Sequence, residues 1–112
     1  MFMPSYSKLD VVLVLYPFSD LTNAKIRPAI VVNSTHPSKD LFVVALTSKT
    51  SSLLPGEFVL SSWKQAGLNV ETAVKRGIYT IKDTLVKKRV GTLVITDAEC
   101  LIESLRGWLD LR

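Results

Sequence analysis

Apolar residues along this chain come in short runs separated by polar stretches, and only near the end do they recur at helical spacing. "LDVVLVLY", residues 9–16, is rich in β-branched side chains and stops at Pro17, which cannot donate to a central ladder. It predicts a strand. "FSDLTNAK" then supplies Ser, Asp and Asn as turn formers and predicts a loop. Further strands are expected over 29–33 and over 41–46, with the turn "STHPSKD" between them; the second of these runs is too short for a helix. After the polar connection "TSKTSSLLPG", "EFVL" predicts a short strand. "SSWKQAG" predicts about one helical turn, ended by Gly67 in the left-handed region. Residues 73–75 and 78–81 read as two short strands interrupted at Arg76–Gly77, and 87–94 alternates basic and apolar residues as a half-buried strand does.

The C-terminal stretch has a different period. Thr96 followed by Glu99 fits a capping box. Ala98, Leu101, Ile102, Leu105, Trp108 and Leu109 then recur every three or four residues, which predicts an amphipathic helix of about four turns. There is no linker, repeat or low-complexity segment, so residues 1–112 are expected to form a single domain. Several short strands with long polar loops and one closing helix predict a mainly β fold, a small, strongly curved sheet or barrel with a C-terminal helix.

Composition narrows the class. A chain of 112 residues, 47% of them hydrophobic, is of ordinary size for one core. Its longest apolar runs, about six residues, fall far short of the roughly 20 that cross a bilayer. No basic-then-apolar leader opens the chain, and Cys100 is alone, which excludes an internal disulfide and disfavours a cysteine-based metal site. A soluble, cytoplasmic protein is expected. The net charge of +4 is unevenly placed: +1 over residues 1–46, +5 over 47–96 and −2 over 97–112. The basic middle, with Lys75–Arg76 and Lys87–Lys88–Arg89, suits a polyanion such as RNA or DNA, although a solvated basic surface has the same signature.

Candidate chemistry is sparse. His36 sits alone in a turn, without metal-ligand partners or a nucleophile nearby in sequence, and phosphate-binding glycine loops are missing. Cys100 lies near Asp97, Glu99 and Glu103, with no base to activate it, so it reads as inert. That leaves Arg27, at the mouth of "RPAIVV" behind a polar loop, and the similarly placed "VALTSKT". If strands 29–33 and 41–46 are neighbours, Arg27 and Thr47 share one end of the sheet. The guanidinium can hold a phosphate by two parallel hydrogen bonds, with the threonine hydroxyl beside it. The other reading is a loop anchor, with Arg27 paired to Asp20 and Thr47 merely beginning a turn. Spacing alone leaves the balance slightly with the anchor.

"LDVVLVLYPFSDLTNAKIRPAIVVNS", "FVVALTSKT", "AGLNVETAVKRGIYTI" and "KKRVGTL", in that order, resemble the MazF/PemK family of toxin endoribonucleases over roughly residues 9–109. The resemblance implies a small SH3-like β-barrel with a C-terminal helix and a homodimer. It implies metal-independent, cofactor-free cleavage of single-stranded RNA, and a cognate antitoxin that blocks the RNA groove. Carried over by position, the family's catalytic arginine falls on Arg27 and its hydroxyl on Thr47, with Ser48 adjoining. Ser48, Lys49, Lys25, Lys75 and Arg76 would then contact RNA.

The chain departs from the family at two places. Leu9–Asp10 stands where relatives commonly have Gly-Asp. Where many relatives carry an aspartate before the aromatic-Thr pair, here Tyr79–Thr80, this chain offers Lys75, Arg76 and Gly77. A general base is therefore missing from that slot unless Asp20 or Asp83 supplies it. The alternative is a non-catalytic module of the same fold that binds RNA or an antitoxin. A third reading is a structural barrel with Trp63 and Tyr79 as contact aromatics, although Trp63 and Trp108 are more often core or dimer residues.

Overall fold

The valine-rich runs pair with one another as antiparallel strands. The computed structural model describes residues 6–16, 25–33 and 36–111. In it the chain forms β1 (Asp10–Tyr16), β2 (Lys25–Val31), β3 (Asp40–Thr47), β4 (Phe58–Val59), β5 (Ala73–Lys82), β6 (Val86–Thr92) and α1 (Ile95–Leu109). A 3-10 turn at Asp83–Leu85 joins β5 to β6. The strands make one sheet in the order β4-β5-β3-β2-β1-β6. The loop expected over 18–25 lies outside the described residues except for Lys25, which already belongs to β2.

Apolar runs rather than clean alternation are what a sheet covered on both faces requires. Val11, Ile30, Val44, Leu46 and Val74 join Leu101 and Ala98 of α1 in one buried cluster. Val12, Val14, Ala29, Val31 and Val43 project the other way into a second cluster with Leu41 and Ile81. Trp63 and Trp108 pack against the first cluster, as core residues do.

β2 begins four residues earlier than the apolar run suggested. Arg27 pairs with Val14 and Pro28 with Leu13 on β1, whereas β3 pairs only with Ala29, Ile30 and Val31. Beyond Ala29 the β3 side of β2 carries no ladder, so a proline there forfeits no bond on that side. β5 is likewise one strand instead of two. Val44 pairs with Ile78 and Leu46 with Val74, so Ala45 alone faces Lys75, Arg76 and Gly77. The surplus forms a bulge, with Gly77 at φ +138°.

The expected mainly β fold with a C-terminal helix is what forms; among the described residues the sheet does not close into a hydrogen-bonded ring, so barrel describes it loosely. Its two edges, β4 and β6, are unpaired with each other among the described residues. The turn 61–67 lies across the gap instead, with Ala66 N–H donating to the Ser62 carbonyl at 3.1 Å and Gly67 at φ +93°. Backbones meet there without room for side chains: a Cβ on Gly67 would overlap the Val90 carbonyl, and one on Gly91 the Ala66 carbonyl. Gly91→Val is therefore expected to cost about 1–3 kcal/mol. Gly107→Ala, which meets open space on α1, should be neutral or stabilising by up to about 1 kcal/mol. Thermal unfolding of the two variants side by side checks both.

α1 fills the expected span, but the Thr96–Glu99 capping box does not form. Val94 is the N-cap and no side chain caps the helix, because Thr96 already lies inside the first turn. The first-turn acid, Asp97, is buried and accepts hydrogen bonds from Ser61 and Ser62 instead.

Candidate functional site

The limited β2–β3 ladder creates the candidate site among the described residues. Past Ala29↔Ala45 the two strands part: β2 continues beside β1 to Lys25, and β3 continues beside β5 to Thr47, opposite Ala73. The fork opens a cleft of about 590 Å³. Arg27 and Pro28 line it from β2, Leu46 and Thr47 from β3, and Lys75 and Tyr79 from β5. Ser48 and Lys49 add to its rim, and the 67–70 segment after the turn completes it.

Its chemistry is one-sided. Arg27, Lys49 and Lys75 are all in the lining, and none of the described residues that line it is Asp or Glu, so their field favours an anion. No ion pair among the described residues engages Arg27. Asp20, the acid that would make it a loop anchor, lies outside the described residues. Thr47 Oγ1 accepts the Lys49 N–H at 3.1 Å, which leaves its own proton available to donate. The rim is latched: Thr50 Oγ1 donates to Glu71 Oε1 at 3.1 Å, and Thr72 Oγ1 to the Val70 carbonyl at 2.8 Å.

The expected site residues divide. Arg27, Thr47, Ser48, Lys49 and Lys75 come together in the cleft. Lys25 lies on β2 opposite Tyr16, outside the lining, and Arg76 also stays out of it. Asp83 stands at the far end of the sheet, next to Lys82, whose partner on β3 is Asp40 rather than Thr47. It is too remote to take a proton in the cleft. His36 is a surface turn residue, its Nδ1 2.9 Å from Ser38 Oγ, and Cys100 is exposed and free. Among the described residues no three His, Cys, Asp or Glu side chains cluster as metal ligands, and no helix is long and apolar enough to cross a membrane.

Tyr79, Asn69 and Thr72 also line the cleft and were not singled out as site residues beforehand. Tyr79 had a signal in its aromatic-Thr pair. Asn69 and Thr72 had none, because their place depends on where the 67–72 segment returns.

The sequence profile described as "PemK-like, MazF-like toxin of type II toxin-antitoxin system" matches residues 7–109. The chain belongs to this toxin family. Solved structures share the fold of this PemK/MazF-family chain at low identity. An endoribonuclease in complex with its cognate antitoxin, from a mycobacterial species, is 15% identical with a TM-score of 0.75, covering 96% of this chain and 98% of its own. Toxin MazF-mt6 of Mycobacterium tuberculosis is 19% identical with a TM-score of 0.69, covering 92% and 98%. A further mycobacterial endoribonuclease is 16% identical with a TM-score of 0.75, covering 99% and 97%. No curated protein matches the chain.

Proposed function

We propose that this PemK/MazF-family chain is a toxin endoribonuclease that cleaves single-stranded RNA in the cleft between β2 and β3. The observation that carries the reading is the meeting of Arg27 and Thr47 in a cleft lined by the further cations Lys49 and Lys75. In the reaction the RNA's own 2′-oxygen bonds to the adjacent phosphorus and the bond from phosphorus to the 5′-oxygen breaks. The 2′-hydroxyl proton passes to solvent and the leaving 5′-oxygen takes one up. The products are a 2′,3′-cyclic phosphate and a 5′-hydroxyl. The substrate supplies the nucleophile, so the step calls for neither a metal nor a cofactor to generate one.

Arg27 stabilises the charge that builds on the phosphoryl oxygens, and fixed donors aimed at developing charge are a large source of rate. A guanidinium does not give up its proton in a protein, so the role of Arg27 is electrostatic. Thr47 donates its hydroxyl proton to the scissile phosphate, and Ser48, Lys49 and Lys75 hold flanking phosphates. The chain acts in the cytoplasm as a homodimer, with exposed Phe42, Ile78 and Ile26 as apolar surface for a twin to cover. A cognate antitoxin covers the cleft. Light scattering is expected to give twice the 12.4 kDa chain mass at micromolar concentration.

The reading is tested with purified chain and single-stranded RNA in chelator. New 5′-hydroxyl and 2′,3′-cyclic phosphate ends support it; 5′-phosphate ends overturn it. None of the described residues that line the cleft is a carboxylate, which favours a second reading, a module that binds RNA without cutting it. RNA that shifts in a gel yet stays intact would select that one.

A further inference from the structure

β4 is the shortest strand of the sheet, and its ladder with β5 stops after Val59↔Ala73 and Phe58↔Val74. The next residue, Glu57, extends the pairing with its side chain. Glu57 Oε2 accepts the Arg76 N–H at 2.8 Å and Oε1 accepts the Leu54 N–H at 2.8 Å. The Arg76 amide, then the Leu54 amide, holds the carboxyl below its usual value, against a smaller opposing effect of burial. The loop that carries Glu57 is gripped by α1: Ser104 Oγ donates to the Gly56 carbonyl at 2.7 Å and Trp108 Nε1 to the Pro55 carbonyl at 3.0 Å.

The position of this clamp matters because of the bulge. Between Ile78 and Val74 no residue of β5 has a regular partner on β3. The peptide unit that carries the Arg76 N–H is the one that carries the Lys75 carbonyl, and planarity fixes the two together. Lys75 lines the cleft; Glu57 does not. The acid thus sets the backbone of a cation in the cleft while its own charge is spent on amides outside it.

We propose that Glu57 is a positioning residue, whose carboxylate clamps the Lys75–Arg76 peptide and so aims Lys75 at a phosphate of bound RNA. The inference rests on the reading of the cleft as an RNA site. Its test uses the full chain and a mixed-sequence single-stranded RNA with 2′-O-methyl groups, which binds but cannot be cut. Lys75→Gln and Glu57→Gln are each expected to raise Kd about tenfold, and the double variant by no more than either alone. On cleavable RNA, Glu57→Gln should raise KM and leave kcat unchanged, a split that general loosening would not give.

The Arg76 amide is expected to be protected from hydrogen exchange in the wild-type chain, a measurement that needs no variant to fold. An unchanged Kd in Glu57→Gln, multiplying losses in the double variant, or free exchange at Arg76 overturns the clamp. A wild-type chain that binds no RNA overturns the reading of the cleft first, and this inference falls with it.

Discussion

Arg27→Ala is expected to lower kcat for RNA cleavage by about 10²- to 10³-fold and to leave the folded state almost untouched. The size follows from what a fixed donor supplies when charge develops on the atom it faces, about 2.7–4 kcal/mol. Stability should hold because Arg27 is exposed, and replacing an exposed side chain shifts stability by about 0.5 kcal/mol or less. Arg27→Lys separates charge from shape. It keeps the cation but loses the planar fork, so it should recover only part of the rate. Single-turnover cleavage at saturating RNA, with thermal unfolding of the same samples, checks the pair. Full activity in Arg27→Ala would return the residue to the role of a loop anchor.

That outcome would also bear on what a sequence can reveal about a site like this. The strands were legible where β-branched runs are buried on both faces, as in β1 with Val11 in one cluster and Val12 in the other. The start of β2 was not. Arg27 and Pro28 look like loop residues until the β1 register shows that a strand can carry them where its other neighbour has departed. Two similar strand ends put Arg27 and Thr47 together only on the condition that their strands are neighbours, and β2 does pair with β3. The fork between them, which makes the cleft, is a difference in ladder lengths and leaves no mark in either segment alone.

The same limit explains the bulge. Arg76–Gly77 interrupts the apolar pattern, and an interruption reads as a break, whereas a ladder on either side can carry the chain through it. Glu57 and Asp97 went unnoticed for a different reason. Each spends oxygen on backbone amides distant in sequence: Glu57 one, 19 positions away at Arg76, and Asp97 both, 36 away at Ser61 and 35 at Ser62. No residue pattern encodes such bonds. The Thr96–Glu99 capping signal was real as a pattern, but helix start and buried acid had other partners to satisfy.

Asp97→Ala is expected to give the largest loss of stability among these variants, about 3 kcal/mol, with a fall in Tm on the order of 10 °C. Asp97 is 2% exposed and accepts three hydrogen bonds. Ser61 N–H and Oγ donate to Oδ1 at 2.9 and 2.8 Å, and Ser62 N–H to Oδ2 at 3.0 Å. Truncation strips two backbone N–H groups and a hydroxyl of their acceptor at a part-buried site, and a donor left without a partner there costs more than the bond it made. It also removes a carboxylate from the first turn of α1, where the helix dipole favours negative charge. Asp97→Asn should lose less, since one oxygen still serves Ser61, while its amide nitrogen opposes the Ser62 N–H donor to donor. The consequence reaches the cleft, because Ser61 and Ser62 open the turn that spans the sheet edges, and Gly67 and Leu68 at its end line the site. Cleavage by Asp97→Ala should therefore fail at a lower temperature than cleavage by the wild type, tracking its unfolding curve. A Tm within about 2 °C of wild type would mean that the two edges are held together by the apolar cluster alone.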